Sequence, residues 1–272
     1  MVERYFLKLG GSLVTDKRGV EAVRMDVLPR LAAEIQAALV ARPGLQLVVG
    51  HGSGSFGHVA AARHGTRQGV DSPAGWRGFA EVGDAAARLN RLVTGALLAA
   101  GVPAVSLAPS ASAVCADGVI QSMATRPVRL ALARGLVPVV YGDVAFDTVR
   151  GGTIISTEEV LSYLANDLPA AWLLLAGETD GVYDLQQKVV PLITRASFAG
   201  VAAALGGSRG TDVTGGMASK VQAMLALVDA HPGLSVGVFS GLVPGNVTQM
   251  LTRPGAGLGT LIRDETEGQQ LS

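Results

Sequence analysis

Three stretches of this chain combine glycine with side chains that attract anions. In LKLGGSLVTDK, residues 7–17, Lys8 and Lys17 flank Gly10, Gly11 and Ser12. In HGSGSFGH, residues 51–58, Gly52, Ser53, Gly54 and Gly57 lead up to His58. In GTDVTGGMASK, residues 210–220, Asp212, Gly215 and Gly216 precede Lys220. Glycine loses more backbone freedom on folding than any other residue, so such clusters indicate that bare backbone is needed. Exposed N–H groups beside a lysine make a cradle for an anion. A histidine in that setting donates a hydrogen bond to the anion or acts as a base. The competing readings are an ordinary turn with solvated lysines for the first stretch and a structural role for His58. His51, His64 and His231 are read as structural. The first stretch lacks the Gly-x4-Gly-Lys-Ser/Thr spacing of a P-loop.

Of the 22 basic residues only Lys8, Lys17, Lys188 and Lys220 are lysines, and three of these lie in or beside the glycine-rich loops. Where arginine serves for solvated charge, a remaining lysine is a candidate for a task that needs a compact point charge. Three anion-binding loops in a chain of zero formal net charge point to two polyanions meeting. Phosphoryl transfer from a nucleotide requires that meeting.

The elements that must position these loops are legible in the hydrophobic pattern. Short β-rich runs alternate with helical segments, as in a mainly parallel sheet with helices on its faces. RYFLKL (4–9) and LQLVVG (45–50) read as the first two strands, with a helix over 26–42 between them. A helix over 78–100 ends at Gly101, a suitable C-cap. PAVSL (103–107) and LVPVVYGD (136–143) read as buried strands, and VCADGVI (114–120) as a hairpin around Asp117-Gly118. A helix over 156–167, a strand over 171–177 and the turn ETDGVYD follow. Helices over 197–205 and 217–230 enclose the loop 206–216, and strand, helix and strand over 234–263 complete the chain. Each glycine-rich stretch sits where a strand hands over to a loop or helix, the place where open α/β sheets bind ligands.

Composition narrows the class. A chain of 272 residues accommodates one large α/β domain or two small ones. With 49% hydrophobic and 16% charged residues it can bury a sizeable core. Zero net charge argues against a nucleic-acid or anionic-membrane partner. The single Cys115 excludes an internal disulfide and a cysteine-based metal site, and fits a reducing cytosol. The charged start MVERYFLKLGG lacks the apolar stretch of a signal peptide. LVTGALLAAGVPAVSLAPSA is broken by Gly101, Pro103 and Pro109, so it reads as helix end, turn and strand rather than a membrane span. The expectation is a soluble cytoplasmic protein.

Taken in order, LKLGGSLVTDK, GHGSGSFGH, GFA, VPAVSLAPSA, VPVVYGDVAFD, TDGVY, TDVTGGMASK and VPGNV resemble the motifs of the amino acid kinase family. GSFGH resembles the signature of its isopentenyl phosphate kinase branch. The resemblance runs over nearly the whole chain. It implies a three-layer αβα sandwich with a mainly parallel central sheet, an acceptor-binding half (1–168), a nucleotide-binding half (169–272) and a homodimer. The implied reaction is transfer of the ATP γ-phosphoryl, with Mg²⁺, to isopentenyl phosphate.

By this resemblance Lys8 and Lys220 hold the ATP phosphates, and Lys17 lies between donor and acceptor. Gly10, Gly11, Ser12, Gly54, Gly215 and Gly216 lie around the phosphates. His58, Ser53 and Gly52 grip the acceptor phosphate. Asp180, Gly181, Val182, Tyr183 and the loop with Asp212 line the nucleotide side. A phosphate monoester is already mostly deprotonated at neutral pH, so a hydrogen-bond donor suits it better than a base, and His58 is read as that donor. No carboxylate cage for Mg²⁺ can be assigned. The segment after His58 and the helix from Phe79, with Val82, Gly83 and Ala86 on or near one face, are candidate walls for the acceptor's tail; packing in the core is the alternative for each.

Two places depart from the family pattern. Thr157 and Glu158 stand where Ser-Gly-Asp places a glycine against the acceptor and an aspartate that orients lysines. Glu178 stands where aspartate is common. These changes leave open a kinase of the same fold for another phosphate, phosphonate (fosfomycin-type) or small acid, and a nucleotide-binding regulatory module without catalysis.

Overall fold

The structure, a computed structural model, describes residues 3–16, 18–205 and 217–265; the side chains of 58–60 and 203–205 lie outside that description. Burial along the first strand, β1 (Arg4–Leu9), sets the layout, because neighbouring side chains of a strand point to opposite faces. Tyr5, Leu7 and Leu9 join one core and Phe6 the other. After β1 come the one-turn helix α1 (Gly11–Val14), α2 (Leu28–Ala41), β2 (Gln46–His51), α3 (Gly54–His64) and α4 (Pro73–Ala99). The middle of the chain holds β3 (Ala104–Ser106), β4 (Val114–Ala116), β5 (Val119–Ser122), α5 (Arg126–Ala133) and β6 (Val137–Tyr141). Next are β7 (Asp143–Asp147), β8 (Gly151–Ile155), α6 (Thr157–Asp167), β9 (Trp172–Gly177) and β10 (Leu192–Ile193). The remainder is α7 (Arg195–Leu205), α8 (Met217–Ala230), β11 (Ser235–Ser240), α9 (Asn246–Thr252) and β12 (Thr260–Ile262).

Eight strands form the main sheet in the order β10-β12-β11-β9-β1-β2-β6-β3, and β5-β4-β7-β8 form a smaller one. Among the described residues, only the β11–β12 pair of the main sheet is antiparallel. One core lies between this sheet and α2, α4 and α9, around Leu31, Ile35, Leu89, Val93 and Met250. The other lies between the sheet and α5, α6 and α8, around Val128, Leu161, Leu164, Met224 and Leu225. Helices on both faces of a mostly parallel sheet make a three-layer sandwich. The chain goes from β1 to β2 on one side, while β9 lies on the other, so the strand order reverses at β1. A crevice opens beyond the strand ends at such a reversal.

Most sequence-predicted elements are present, with instructive differences. The long helix starts at Pro73 rather than 78, because Ser72 caps it by accepting from the Gly75 N–H at 3.2 Å. The strand expected over 136–143 divides at Gly142 into β6 and β7, and β7 pairs with β8 in the smaller sheet. Asp117 and Gly118 turn the β4–β5 hairpin with φ of 49° and 83°, as their residue types foretell. Among the described residues no helix is long and apolar enough to cross a membrane.

Candidate active site

The C-terminal ends of β1 and β2 lie side by side, with Leu9 paired to His51. The two glycine loops that follow pack backbone on backbone. A Cβ on Gly11 would lie 2.5 Å from the Gly54 nitrogen, and one on Gly52 would lie 2.9 Å from the Gly11 nitrogen. Gly54 adopts a φ of +50°, and its added Cβ would meet Thr15 Oγ1 at 2.1 Å and the Gly11 carbonyl at 2.7 Å. Bare backbone is thus required here partly so that the loops can touch each other. Several of the N–H groups are already occupied: Gly10 donates to the Ala176 carbonyl at 2.8 Å and Gly52 to the Leu9 carbonyl at 3.0 Å. Ser55 donates to Thr15 Oγ1 at 2.9 Å. The N–H groups of Gly11, Ser12, Ser53 and Gly54 have no acceptor among the described residues. These four free donors sit at the crevice.

Beside them, Lys8 follows the two-residue alternation of β1 and emerges on the face covered by α6 and α8. Its Nζ is 2.7 Å from Glu158 Oε1, and both side chains are mostly buried. Burial pushes the Glu158 carboxyl up. The charge and hydrogen bond of Lys8, the residue's own N–H and the charge of Lys220 outweigh it, so the carboxyl is held below its ordinary value. Lys8, Glu158 and the half-buried Lys220 therefore form one electrostatic cluster. Glu158 holds that place because α6 starts with a capping box, in which Ser156 Oγ accepts from the Glu159 N–H and Glu159 returns a bond to the Ser156 N–H.

Thr157, expected to line the acceptor, is buried, and its hydroxyl donates to the His51 carbonyl at 2.6 Å. Its methyl fills the space that a side chain at Gly50 would need, 2.6 Å from an added Cβ there. The added bulk is taken up within the sheet, between the His51 carbonyl and Gly50.

Phe79 is half-buried in an aromatic cluster, its ring centroid 5.4 Å from that of Trp76 and 5.3 Å from that of Phe146. Val82 and Ala86 are buried, whereas Gly83 lies against Val144. On the other side of β1, Val182 is buried and its N–H donates to Thr260 Oγ1 at 2.8 Å. Gly181 is needed because a Cβ there would lie 2.7 Å from both Thr260 Oγ1 and Val189 Cγ1. The Tyr183 hydroxyl is 3.4 Å from Asp180 Oδ2. Asp180 lines a cleft of about 420 Å³ with Val189, Ser240, Val243, Asn246 and Gly257. A second cavity of about 460 Å³, between Val40, Leu47, Pro103 and Leu136, lies at the opposite end of the strands, away from the lysines. Lys17, Asp212, Gly215, Gly216 and the side chain of His58 lie outside the described residues. The backbone of His58 continues α3, one turn past Gly54.

The sequence pattern of the amino acid kinase family matches residues 3–237. This chain belongs to the amino acid kinase family. Within the family, the isopentenyl phosphate kinase of Haloferax volcanii is 43% identical over 250 residues, covering 89% of this chain and 96% of that protein. That of Methanothermobacter thermautotrophicus is 36% identical over 255 residues, covering 90% and 94%. A solved isopentenyl phosphate kinase structure superposes with a TM-score of 0.80 at 30% identity, over 96% of this chain and 100% of that one.

In this amino acid kinase, Lys8, Gly10, Gly11, Ser12, Gly52, Ser53, Gly54 and the Thr157 backbone come together at the ends of β1 and β2. Phe79 and the Asp180–Tyr183 turn stand apart from that centre, against the smaller sheet and beyond β9. Sequence reasoning did not find Trp76 and Phe146 beside Phe79, or Asn246 and Gly257 beside Asp180. The Trp76–Phe79 spacing was a signal on one helix, but Phe146 arrives from another sheet. Arg24, unassigned in the sequence, pairs with Glu178 at 2.8 Å.

Proposed function

We propose that this chain transfers the γ-phosphoryl of ATP to isopentenyl phosphate, giving isopentenyl diphosphate and ADP. The observation that carries the reading is the Lys8–Glu158 pair, with Lys220 acting on the same carboxylate, beside four free N–H groups. Phosphoryl transfer needs positioning and neutralisation of charge spread over the equatorial oxygens, and little covalent help. Lys8 and Lys220 supply positive charge to the donor phosphates, and Glu158 keeps both ammonium groups in place. Lys17 stabilises the group in flight. The free N–H groups of Gly11, Ser12 and Gly54 bind phosphate oxygens, and Ser53 with His58 grips the acceptor. The cleft beside Asp180 takes the nucleoside, and the Trp76–Phe79–Phe146 cluster borders the acceptor's hydrocarbon tail.

Mg²⁺ bound with ATP would add to the charge neutralisation that Lys8 and Lys220 supply. Among the described residues no group of three His, Cys, Asp or Glu side chains could hold a metal by itself. We further propose a cytoplasmic homodimer, each chain of which supplies the acceptor side from residues 1–168 and the nucleotide side from residues 169–272.

The test is ADP release with Mg-ATP and, in parallel, isopentenyl phosphate, dimethylallyl phosphate, fosfomycin and UMP. Fast turnover of isopentenyl phosphate, lost in His58→Ala, is the expected result. Turnover of another acceptor in its place would redirect the reading to a kinase of different specificity.

A further inference from the structure

His51 is fully buried, and no step above uses it. Its ring stacks on Tyr141, with centroids 5.5 Å apart and planes at 11°. Nδ1 lies 3.2 Å from the Gly52 carbonyl oxygen, and Nε2 lies 3.2 Å from the Asn90 carboxamide. A carbonyl only accepts, so Nδ1 carries the proton. Burial disfavours the imidazolium, which leaves Nε2 as an acceptor. Asn90 also meets the Ser106 hydroxyl. Asn90 sets Oδ1 against Nε2 and donates from Nδ2 to Ser106 Oγ. Exchanging these two amide atoms gives Nε2 an NH₂ donor and the Ser106 hydroxyl an acceptor, so that every group in the chain Ser106–Asn90–His51–Gly52 is satisfied. The backbone of His51 is held as well, its carbonyl accepting from Gly142 N–H at 3.2 Å and Thr157 Oγ1 at 2.6 Å.

In a trans peptide the N–H points opposite to the C=O. Fixing the Gly52 carbonyl on His51 therefore turns the next N–H, that of Ser53, away from the buried ring. That N–H is one of the four without an acceptor among the described residues. We propose that His51 is a positioning residue: by holding the Gly52–Ser53 peptide it presents the Ser53 N–H to the acceptor phosphate. The role rests on the proposed function. Asn90 belongs to the same device and sits on α4, the helix that carries Phe79, so one helix supports both the phosphate grip and the tail's border.

The test compares His51→Leu, His51→Asn and Asn90→Leu with the wild type, with melting temperatures and separate KM values for ATP and isopentenyl phosphate. The asparagine places an N–H donor where Nδ1 stood and leucine does not. Expected are a rise of about tenfold or more in the acceptor KM for His51→Leu and Asn90→Leu, an ATP KM within about twofold of wild type, and recovery in His51→Asn. A merely structural role would lower the melting temperature and the active fraction without separating the two KM values. Should His51→Leu fail to fold, Asn90→Leu carries the same test. An active wild type with folded variants that keep its acceptor KM overturns the role of His51 alone. A wild type that does not turn over isopentenyl phosphate overturns the proposed function, and the role of His51 with it.

Discussion

Glu158 holds the lysines, and its titration can be followed. Its carboxyl lies below the ordinary value in the folded chain, because Lys8 and Lys220 outweigh burial. The ionised form therefore favours the fold. Its contribution is complete above the ordinary glutamate value of about 4.3 and is lost as the pH falls through the lower folded value. Glu158→Gln is expected to cost about 1–3 kcal/mol in urea denaturation at pH 7, with a gap to wild type that narrows below about pH 4. Turnover should fall at least about tenfold, because Lys8 loses the partner that orients it. Gly54→Ala tests the contact between the loops. A Cβ there meets backbone and Thr15, and φ is positive, so a loss of about 2 kcal/mol or more and of most activity is expected from melting and turnover measurements. The need for bare backbone was legible in HGSGSFGH, but a neighbouring glycine loop as one of its causes was not. That contact joins residues 11 and 54, and local pattern carries no sign of it. The pairing of His51 with Asn90 was hidden for the same reason.

At the scale of elements, α6 and α4 do opposite things. The capping box of α6 fixes the turn that carries Thr157 and Glu158. Ser156→Ala should cost about 1 kcal/mol in stability and lower turnover as well, since the lost cap lies next to the lysine cluster. Gly95, near the C-terminal end of α4, is exposed, and an added Cβ would meet nothing within 4 Å. Gly95→Ala should therefore stabilise the protein by about 0.5–1 kcal/mol with kcat unchanged, read by melting and steady-state kinetics. Strands such as LQLVVG were easy to read because strands buried on both faces are continuous apolar runs. The helix α5 was missed because RPVRLALA is two turns long, with its apolar stripe reduced to Val128, Ala131 and Leu132. The strand expected over 136–143 ran one residue into β7, and the rest of the β7–β8 hairpin was not assigned, because Gly142 alone separates the apolar runs of β6 and β7.

For the whole molecule, the reversal of strand order at β1 gathers the glycine loops and Lys8 at one place, with Glu158 and Lys220 supplied from the α6 and α8 layer. The alternation of βα units made the parallel sheet legible, whereas the position of β1 in its middle follows from pairings across the chain that periodicity does not record. The departure at Thr157 looked in sequence like a change to the acceptor site. In three dimensions its side chain belongs to the sheet, bonded to His51 and seated over Gly50. The central claim is that this site joins the γ-phosphoryl of ATP to a phosphate monoester. Phosphorus NMR of a mixture of the protein, Mg-ATP and isopentenyl phosphate measures it directly. The account predicts one equivalent of isopentenyl diphosphate for each ADP formed. Release of ADP with inorganic phosphate and no new diphosphate, or no reaction of the monoester at all, would contradict it.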